Sequence, residues 1–230
     1  RGITYTLYGT PGLLEMPTAL VPPDGEFAAT LGATTTMQRT TMTFQITPRL
    51  MGSFRIGTTQ DFYLPYEDPQ TGLYVDRSVD LRYQIVDEGR YMPAVSIGLQ
   101  DFIAGGQFGA EYIVASKAFG DSVRVTAGLG WGRFGSANGF DNPLGLLSSE
   151  FETRPADTEA IYDGQWFTGD AAFFGGVEWA ATETLTLKAE YSSDAFERET
   201  ALGLITIDSP INAGVTWEPR PGFQIAANYL

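Results

Sequence analysis

The sequence predicts an all-β protein, an up-and-down antiparallel transmembrane β-barrel of about 12 strands with short periplasmic turns and long extracellular loops. Three observations predict this class. Apolar and polar residues alternate along many segments, long helical patterns are absent, and short connections alternate with long ones. The chain has 230 residues, which is a usual size for one β-barrel domain.

Alternation is clearest in four segments. These are residues 79–85 ("VDLRYQI"), 123–131 ("VRVTAGLGW"), 185–191 ("LTLKAEY") and 223–229 ("FQIAANY"), each apolar at every second position. Such a pattern gives a strand one apolar face and one polar face. Extending the analysis to the whole chain, we predict strands near 26–35, 39–47, 50–61, 76–86, 92–103, 107–118, 122–134, 167–181, 184–194, 208–217 and 222–230.

The connections between these strands differ in length. Those at 48–49, 87–91, 119–121, 182–183 and 218–221 are short and rich in turn residues. Those that alternate with them, at 36–38, 62–75, 104–106, 135–166 and 195–207, are generally longer. In a meander this places the short turns at one end and the long loops at the other, as in outer-membrane barrels.

Aromatic residues are expected to form a girdle at each end of the strands, where such barrels meet the membrane interfaces. Beside the short turns lie Tyr91, Phe119, Trp179, Trp217 and Phe223. Beside the long loops lie Phe62, Tyr63, Phe102, Phe134, Trp166, Phe167 and Phe196. A soluble β-sandwich or lipocalin-like barrel shares the alternation, but strand length and loop asymmetry favour the membrane barrel.

Composition excludes several classes of function. The net charge of −14 disfavours nucleic-acid binding, which requires clustered Lys and Arg. The chain has no Cys and no His, which removes thiol chemistry, Cys/His metal sites and His-based acid–base catalysis. We predict no cofactor and no metal. The acidic loop 135–166 lacks the ligand spacing of a calcium site and is expected to be solvated or to fold into the barrel mouth.

Residues 1–25 form a Gly/Pro-rich N-terminal segment that precedes the barrel domain at 26–230. Residues 3–8 alternate and are predicted as a possible closing strand, which would bring the count to twelve. The alternative is that a further chain segment or a partner completes the barrel. Prolines make the rest of the segment a poor strand. We expect a periplasmic plug or collar, or else a strap over the turns, with its apolar part at Leu13, Leu14, Met16 and Pro17.

The charged residues of the strands are expected to line the lumen if the apolar face meets lipid. They are Arg55, Asp80, Arg82, Glu111, Lys117, Arg124, Lys188 and Glu190. Cross-strand ion pairs that rigidify the barrel are one interpretation. A polar conduit for sugar hydroxyls is the other. Carboxylate pairs acting on a glycosidic bond are a third, weaker hypothesis, so we predict a protein that is not an enzyme.

Four stretches resemble the YjbH-type exopolysaccharide-biosynthesis family of outer-membrane β-barrel proteins, at its N-terminal barrel portion. They are "GTPGLLEMPTA…PDGE" (9–26), "TFQITPRLMGSFRI" (43–56), "DRSVDLRYQIVDEGRYMPAVSIGLQDF" (76–102) and "GAEYIVASKAFGD…VTAGLGWGR" (109–133). The resemblance covers about the first 135 residues well. Family members are usually longer, and some are described as lipoproteins, whereas this sequence has no Cys for lipidation.

The resemblance implies a protein of the outer membrane of a Gram-negative bacterium that takes part in exopolysaccharide assembly or export. Its implied partners are outer-membrane lipid and lipopolysaccharide, exopolysaccharide, and other polysaccharide-secretion proteins. It supplies no catalytic residues. The alternatives are a small-solute porin, a structural or adhesive barrel and, less favoured, a glycan-modifying enzyme.

Overall fold

The computed structural model describes residues 2–60, 73–103, 108–154 and 166–230. In these residues the chain forms one antiparallel sheet of eleven strands. The strands are β1 Phe27–Ala33, β2 Met37–Thr47, β3 Leu50–Gln60, β4 Leu73–Val86, β5 Ala94–Gln100, β6 Ala110–Phe119, β7 Val123–Gly132, β8 Ala172–Ala180, β9 Leu185–Tyr191, β10 Ile211–Arg220 and β11 Phe223–Tyr229. All eleven strands expected from the alternation between residues 26 and 230 are confirmed.

The strands follow one another in the sheet in chain order, as expected for a meander. The even-to-odd connections are short, for example 48–49 and 221–222, and the odd-to-even connections include the long 133–171 and 192–210. Because neighbours are antiparallel, one edge of the sheet carries the short turns and the other carries the long loops. We call these the turn end and the loop end.

The prediction of about 12 strands is corrected to eleven in the described residues. Residues 3–8, the expected closing strand, form no strand; Tyr5 instead makes an isolated bridge with Pro11. The residues described for β1 and β11 pair only with β2 and β10, so the sheet is not closed. The strand is lost because the segment folds on itself, with Thr6 N–H bonded to the Thr10 carbonyl at 2.8 Å.

The two faces of the sheet have opposite polarity. The face that we call the outer face exposes apolar side chains along almost every strand, among them Leu31 at 84%, Phe173 at 66% and Ile211 at 56%. The opposite, inner face buries polar and charged side chains, such as Arg55 and Ser78. This is the reverse of a soluble sheet, which hides its apolar face.

Aromatic residues beside the short turns lie on the outside, as predicted. Their exposed fractions run from 46% to 81% for Tyr91, Phe119, Trp179, Trp217 and Phe223. At the loop end the prediction is partly wrong, because Phe134 and Phe196 are buried at 0% and 6% exposure. Phe134 instead packs its ring against Tyr112 and Phe174 on the inner face. Phe62 and Tyr63 lie outside the described residues.

In the parts of the chain that the structure describes, helices are few and short. The α-helix α1 spans Glu197–Ala201, and three one-turn 3₁₀ helices lie at Arg133–Gly135, Pro143–Leu146 and Ser149–Phe151. Within the described ranges, no helix is long and apolar enough to cross a membrane.

The sheet curves around the N-terminal segment, residues 2–25. The Gly9 carbonyl accepts from Thr43 of β2, while the Leu14 N–H donates to Glu190 of β9. Five residues of chain reach at most about 18 Å. Seven strand spacings in a flat sheet would separate β2 from β9 by roughly 34 Å. Both contacts exist only if the inner face is concave.

Candidate functional site

The N-terminal segment fills the concave inner face and is the most elaborate polar site of the described structure. Its start lies at the turn end, where Gln224 donates to the Ile3 carbonyl at 2.8 Å and Thr4 donates to Glu178 at 2.5 Å. It then runs toward the loop end, turns, and comes back to enter β1. The segment, expected at the periplasmic mouth, therefore lies deeper, along the inner face itself.

Two charged residues of β9 hold the turn of this segment. Glu190 Oε2 accepts hydrogen bonds from three successive backbone N–H groups, those of Leu14, Glu15 and Met16, at 2.9, 3.0 and 2.9 Å. Lys188 Nζ donates to the Gly12 and Leu13 carbonyls at 3.1 and 2.7 Å. Alternation in a strand puts Lys188 and Glu190 on the same face. We call this pair the clamp.

The clamp matches charge to backbone dipoles. Successive N–H groups of a tight turn converge on one point and form an anion-binding concavity, which the Glu190 carboxylate occupies. The Gly12 and Leu13 carbonyl oxygens, which precede these N–H groups in the chain, face the Lys188 ammonium. Asn212 of β10 donates to the other Glu190 oxygen at 3.1 Å, which fixes the carboxylate. Because such bonds to charged groups are strong, the turn has one defined position.

Apolar side chains of the segment pack beneath this turn. Leu13, Leu14 and Met16 have an exposed fraction of 0%, and Pro17 is also buried. The first three form one cluster with other buried residues of the segment, the inner face and the start of the loop after β7: Ala19, Ala94, Ala110, Tyr112, Val114, Phe134 and Phe174. Small residues make the room, since a Cβ on Gly176 would lie 2.7 Å from Leu13 Cδ1 and one on Gly214 would lie 3.1 Å from Leu14 Cδ2.

The returning part of the segment is held by β4, β5 and β6. The Ala19 carbonyl accepts from Ser96 Oγ at 2.7 Å, and the Ala19 N–H donates to Ser116 Oγ at 2.9 Å. Arg82 donates to the Leu20 carbonyl at 2.8 Å and to Tyr112 Oη at 2.9 Å. Because a serine side chain is short, the hydrogen bonds of Ser96 and Ser116 require the backbone of the segment to lie directly against the sheet.

The outgoing part rests on β2 and β3. Thr41 and Thr43 donate to the Tyr8 and Gly9 carbonyls at 2.7 and 2.8 Å. The Arg39 and Arg55 guanidinium carbons lie 4.3 and 5.1 Å from the centre of the Tyr8 ring, within the range of cation–π attraction. The Tyr8 ring thus attracts two buried positive charges.

Six of the eight charged residues expected to line a lumen lie on the inner face. Arg55 forms an ion pair with Asp80 at 3.1 Å, and Ser53 donates to the same carboxylate at 2.7 Å. Lys188 and Glu190 form the clamp, and Arg82 binds the segment. Arg124 lies opposite Glu178 in the register of β7 and β8. Most of these side chains hold the segment or one another, so they are engaged rather than free on the described inner face.

The other two, Glu111 and Lys117, lie on the outer face. On β6 they share their alternation phase with the exposed Ile113, whereas Tyr112 and Val114 point inward. The rule that charged residues point inward fails on β6 because its inner face must be apolar to receive Leu13 and Met16. Each of the two forms an ion pair: Glu111 pairs with Arg154 at 2.7 Å, and Lys117 pairs with Glu88 at 3.0 Å.

The described ends of the long loop 135–166 lie near the same place. Arg154 pairs with Glu111, and Phe167, next to the loop, packs its ring against Trp131 at 5.1 Å. Both contacts are with outward-pointing residues of β6 and β7, so these described ends of the loop lie against the outer face of the sheet. Residues 155–165 of the expected constriction lie outside the described residues.

A buried ion cluster closes the loop end. Arg133 donates to Asp194 at 2.5 Å and to Glu199 at 2.8 Å, and its guanidinium lies 4.8 Å from the Phe196 ring. Burial raises the pKa of Asp194 from 3.8 to about 6, although Arg133 opposes the shift. Sequence reasoning missed this cluster, because its members are far apart in the chain and lie outside the alternating segments.

Glu15 is a buried acidic residue of the segment that has no hydrogen-bond partner among the described residues. Its exposed fraction is 1%, and neither carboxylate oxygen has a hydrogen-bond partner. Burial raises the pKa of this carboxyl well above its usual value, and Asp194 and Glu190 raise it further. Arg133 and Arg39 act in the opposite direction. The single polar residue in the apolar run "LLEM" was a signal for this site.

Comparisons with known proteins agree with the resemblance seen in the sequence. The family profile described as "Exopolysaccharide biosynthesis protein YbjH" matches residues 4–230. The chain is 31% identical over 234 residues to the "Uncharacterized lipoprotein YjbH" of Escherichia coli (strain K12). That alignment covers 99% of this chain and 33% of the relative, so the chain spans about a third of the relative's length.

Proposed function

This chain belongs to the YjbH family of exopolysaccharide biosynthesis proteins, and from that premise we propose that it serves exopolysaccharide assembly or export in the outer membrane of a Gram-negative bacterium. In this proposal the eleven strands form most of the wall of a transmembrane β-barrel. The N-terminal segment is its resident plug, held by the clamp.

The observation that carries the membrane location is the reversed polarity of the sheet. Apolar side chains cover the outer face, from Leu31 in β1 to Ile225 in β11, and both residues are strongly exposed. Exposing so much contiguous apolar surface to water is unfavourable, and exposed patches of this size mark membrane or protein contacts. Exposed aromatics at the turn end fit an interfacial girdle.

The segment that lies along the inner face favours a role in polymer assembly over a small-solute porin. An open porin requires an aqueous channel, whereas here the segment contacts β2, β4, β5, β6, β8, β9 and β11 at once. We also propose that the role is not catalytic. The inner-face carboxylates of Asp80 and Glu190 are engaged as structural acceptors, so they are poorly available for acid–base work.

In a membrane the backbone N–H and C=O groups of the two edge strands must be paired or covered, because an unpaired backbone group in lipid is energetically unfavourable. Because β1 and β11 are separated by ten antiparallel steps, they run in the same direction. Closure by antiparallel pairs alone therefore requires an odd number of added strands. A further chain segment or a partner protein supplies them in this proposal.

Fractionation and a deletion phenotype test the proposal together. We expect the protein in the outer-membrane fraction, with migration on SDS gels that changes on heating, as folded barrels show. Deleting its gene should reduce secreted exopolysaccharide without reducing small-solute uptake, and the intact gene should restore it. Loss of solute uptake with normal exopolysaccharide would favour the porin, and a protein that stays in the soluble fraction would contradict the barrel.

A further inference from the structure

The Glu15 carboxyl lies in the turn that the clamp holds, residues 12–16, and binds nothing there. Its side chain is 1% exposed, and neither oxygen has a hydrogen-bond partner among the described residues. The backbone N–H of the same residue donates to the Glu190 carboxylate at 3.0 Å. A buried carboxylate without partners is far less favourable than the neutral acid. The geometry of this turn therefore suits a protonated Glu15.

Charged and titratable groups from several elements surround this carboxyl. They are Tyr8 of the same segment, Arg39 of β2, Arg133 after β7, Lys188 and Glu190 of β9, and Asp194 and Glu199 after β9. The three cations in this set are engaged with other groups. Lys188 donates to two backbone carbonyls, and Arg133 donates to two other carboxylates. Arg39 donates to Met37 Sδ at 3.1 Å and lies 4.3 Å from the centre of the Tyr8 ring.

The neighbouring acids are better placed than Glu15 to remain ionised. Glu190 accepts three backbone N–H bonds and one from Asn212. Asp194 accepts from Arg133 and from the Phe196 N–H, at 2.5 and 2.8 Å. Hydrogen bonds to a carboxylate favour its charged form. A proton shared among these acids therefore belongs on Glu15. Burial also raises the pKa of this carboxyl well above its usual 4.5, and the charges of Asp194 and Glu190 raise it further.

We propose that Glu15 is a proton-controlled latch: the N-terminal segment is docked while this carboxyl carries a proton, and loss of the proton releases residues 12–16 from β9. The ionised group would stand beside the Glu190 carboxylate to which its own N–H is bonded, so its charge acts directly on the clamp. Release moves Glu15 into water, where the charge is well solvated. The latch adds a control of the segment to the proposed function and does not depend on it.

The direction of the pH effect follows from proton linkage. The docked turn holds a proton that the released turn gives up above about pH 4.5. Docking is therefore favoured at low pH and weakens as the pH rises toward the pKa of the docked carboxyl. One proton lets the released fraction grow by up to about tenfold for each pH unit in this range. Asp194 adds little above its pKa of about 6, so the effect of Glu15 is measured at higher pH.

Digestion by chymotrypsin in detergent at about pH 6, 7 and 8 tests the latch. Mass spectrometry counts cleavage after Leu13 and Leu14, which are 0% exposed and so are cut only when the turn is released. Each rate is divided by that of a free peptide of residues 1–25 with the same sequence, which removes the pH dependence of the protease. The normalised rate should rise at least about tenfold from pH 6 to pH 8.

Glu15→Gln should abolish this rise, because an amide imitates the protonated acid and does not ionise. Glu26→Gln makes the same chemical change at an exposed residue just before β1 and should keep the rise of the unaltered protein. A flat rate in the unaltered protein, or an undiminished rise in Glu15→Gln, would overturn the latch.

Infrared spectroscopy tests the proton itself and does not require that the amide variant dock well. At about pH 7 the unaltered protein should show the C=O stretch of a protonated carboxylic acid that is missing from the spectrum of Glu15→Gln. Other protonated acids contribute equally to both spectra, so the difference reports Glu15. If the two spectra are identical in this region, Glu15 is ionised in the docked segment and the latch is wrong.

Discussion

At the scale of single residues, the inner face shows how buried charges are stabilised by backbone groups as well as by ion pairs. Lys188 and Glu190 bind backbone carbonyls and N–H groups, which carry only partial charges. Removing one partner from such a buried arrangement destabilises the folded protein by more than the hydrogen bond contributed. The groups that remain are still shielded from water and no longer have a hydrogen-bond partner. Single substitutions in the clamp should therefore be strongly destabilising.

Glu190→Gln should lower the free energy of unfolding by about 3 kcal/mol, because one amide oxygen cannot replace a carboxylate that accepts three N–H bonds and one from Asn212. Unfolding by urea in detergent micelles, followed by tryptophan fluorescence, measures it. Glu183→Gln, in an exposed turn, is the matched control and should change little. Equal stability of the two variants would mean that the clamp does not hold the segment.

Asp101, which follows β5, should make stability depend on pH. Burial is the main cause that raises its pKa from 3.8 to about 8, and the nearby Asp76 adds to the shift. A raised acid pKa means that the folded state holds a proton that the unfolded state releases. Stability should therefore be highest below about pH 4, fall as pH rises toward 8, and level off above it.

Asp101→Asn should remove this dependence, since an amide imitates the protonated acid and still accepts from the Phe108 N–H. Asn also tolerates the left-handed backbone at this position, where φ is 49°. Melting temperatures at about pH 5 and about pH 9 should differ less for the variant than for the parent protein. Asp121→Asn, in an exposed turn, is the control; an unchanged slope in Asp101→Asn would contradict the assignment.

At the scale of elements, strand positions were predictable because alternation has a fixed period and turn residues mark its ends. The position of the N-terminal segment was less predictable from the sequence. Its prolines excluded a central strand and Leu13, Leu14 and Met16 indicated that it needed cover, but its depth follows from contacts with Thr43 and Glu190, about 34 and 176 residues away in the chain. No local pattern encodes such contacts.

The inward direction of side chains was predictable only where the inner face is polar. Lys188 and Glu190 alternate with apolar residues on β9, so their side is evident from sequence. On β6 both faces carry apolar residues, which left Glu111 and Lys117 without a reliable phase. The apolar inner face of β6 exists to receive the segment, so its face could be assigned only once the position of the segment was known.

Deleting residues 9–22 should open the inner face. The deletion removes the turn held by the clamp and the apolar cluster around Leu13, and it leaves Lys188 and Glu190 exposed to water in a wider space. Conductance in planar lipid bilayers should rise, and the melting temperature should fall. Unchanged conductance and melting would show that the segment is not a plug.

Gly9→Ala tests the same element by a smaller change. Gly9 has a φ of +81°, where a Cβ is strained, and that Cβ would lie 2.4 Å from Thr41 Cβ. The segment should lift from β2, so cleavage of folded protein by a protease within residues 2–25 should become faster. Gly25→Ala is the matched control, since Gly25 also has a positive φ, of +73°, but no atom within 4 Å of the added Cβ.

At the scale of the whole molecule, the account depends on which face of the sheet meets lipid. Val177 lies on the outer face of β8, opposite Val125 and Ala189 in the register, and is 39% exposed. Val177→Arg should destabilise the folded protein in lipid by about 2–4 kcal/mol, the cost of a charge at the bilayer midplane. Folding yield into vesicles measures it, with Asp121→Arg at the turn end as control. Normal yield for Val177→Arg would place this face in water.

Site-directed spin labelling along β7 tests the central claim most directly. The chain has no cysteine, so single cysteines at Val125, Thr126 and Ala127 can be labelled without further changes. In lipid vesicles, labels at Val125→Cys and Ala127→Cys should be accessible to oxygen dissolved in the bilayer and shielded from a water-soluble nickel reagent. The label at Thr126→Cys, on the filled inner face, should be poorly accessible to both. Accessibility of the Val125→Cys and Ala127→Cys labels to the nickel reagent would contradict a lipid-facing outer surface.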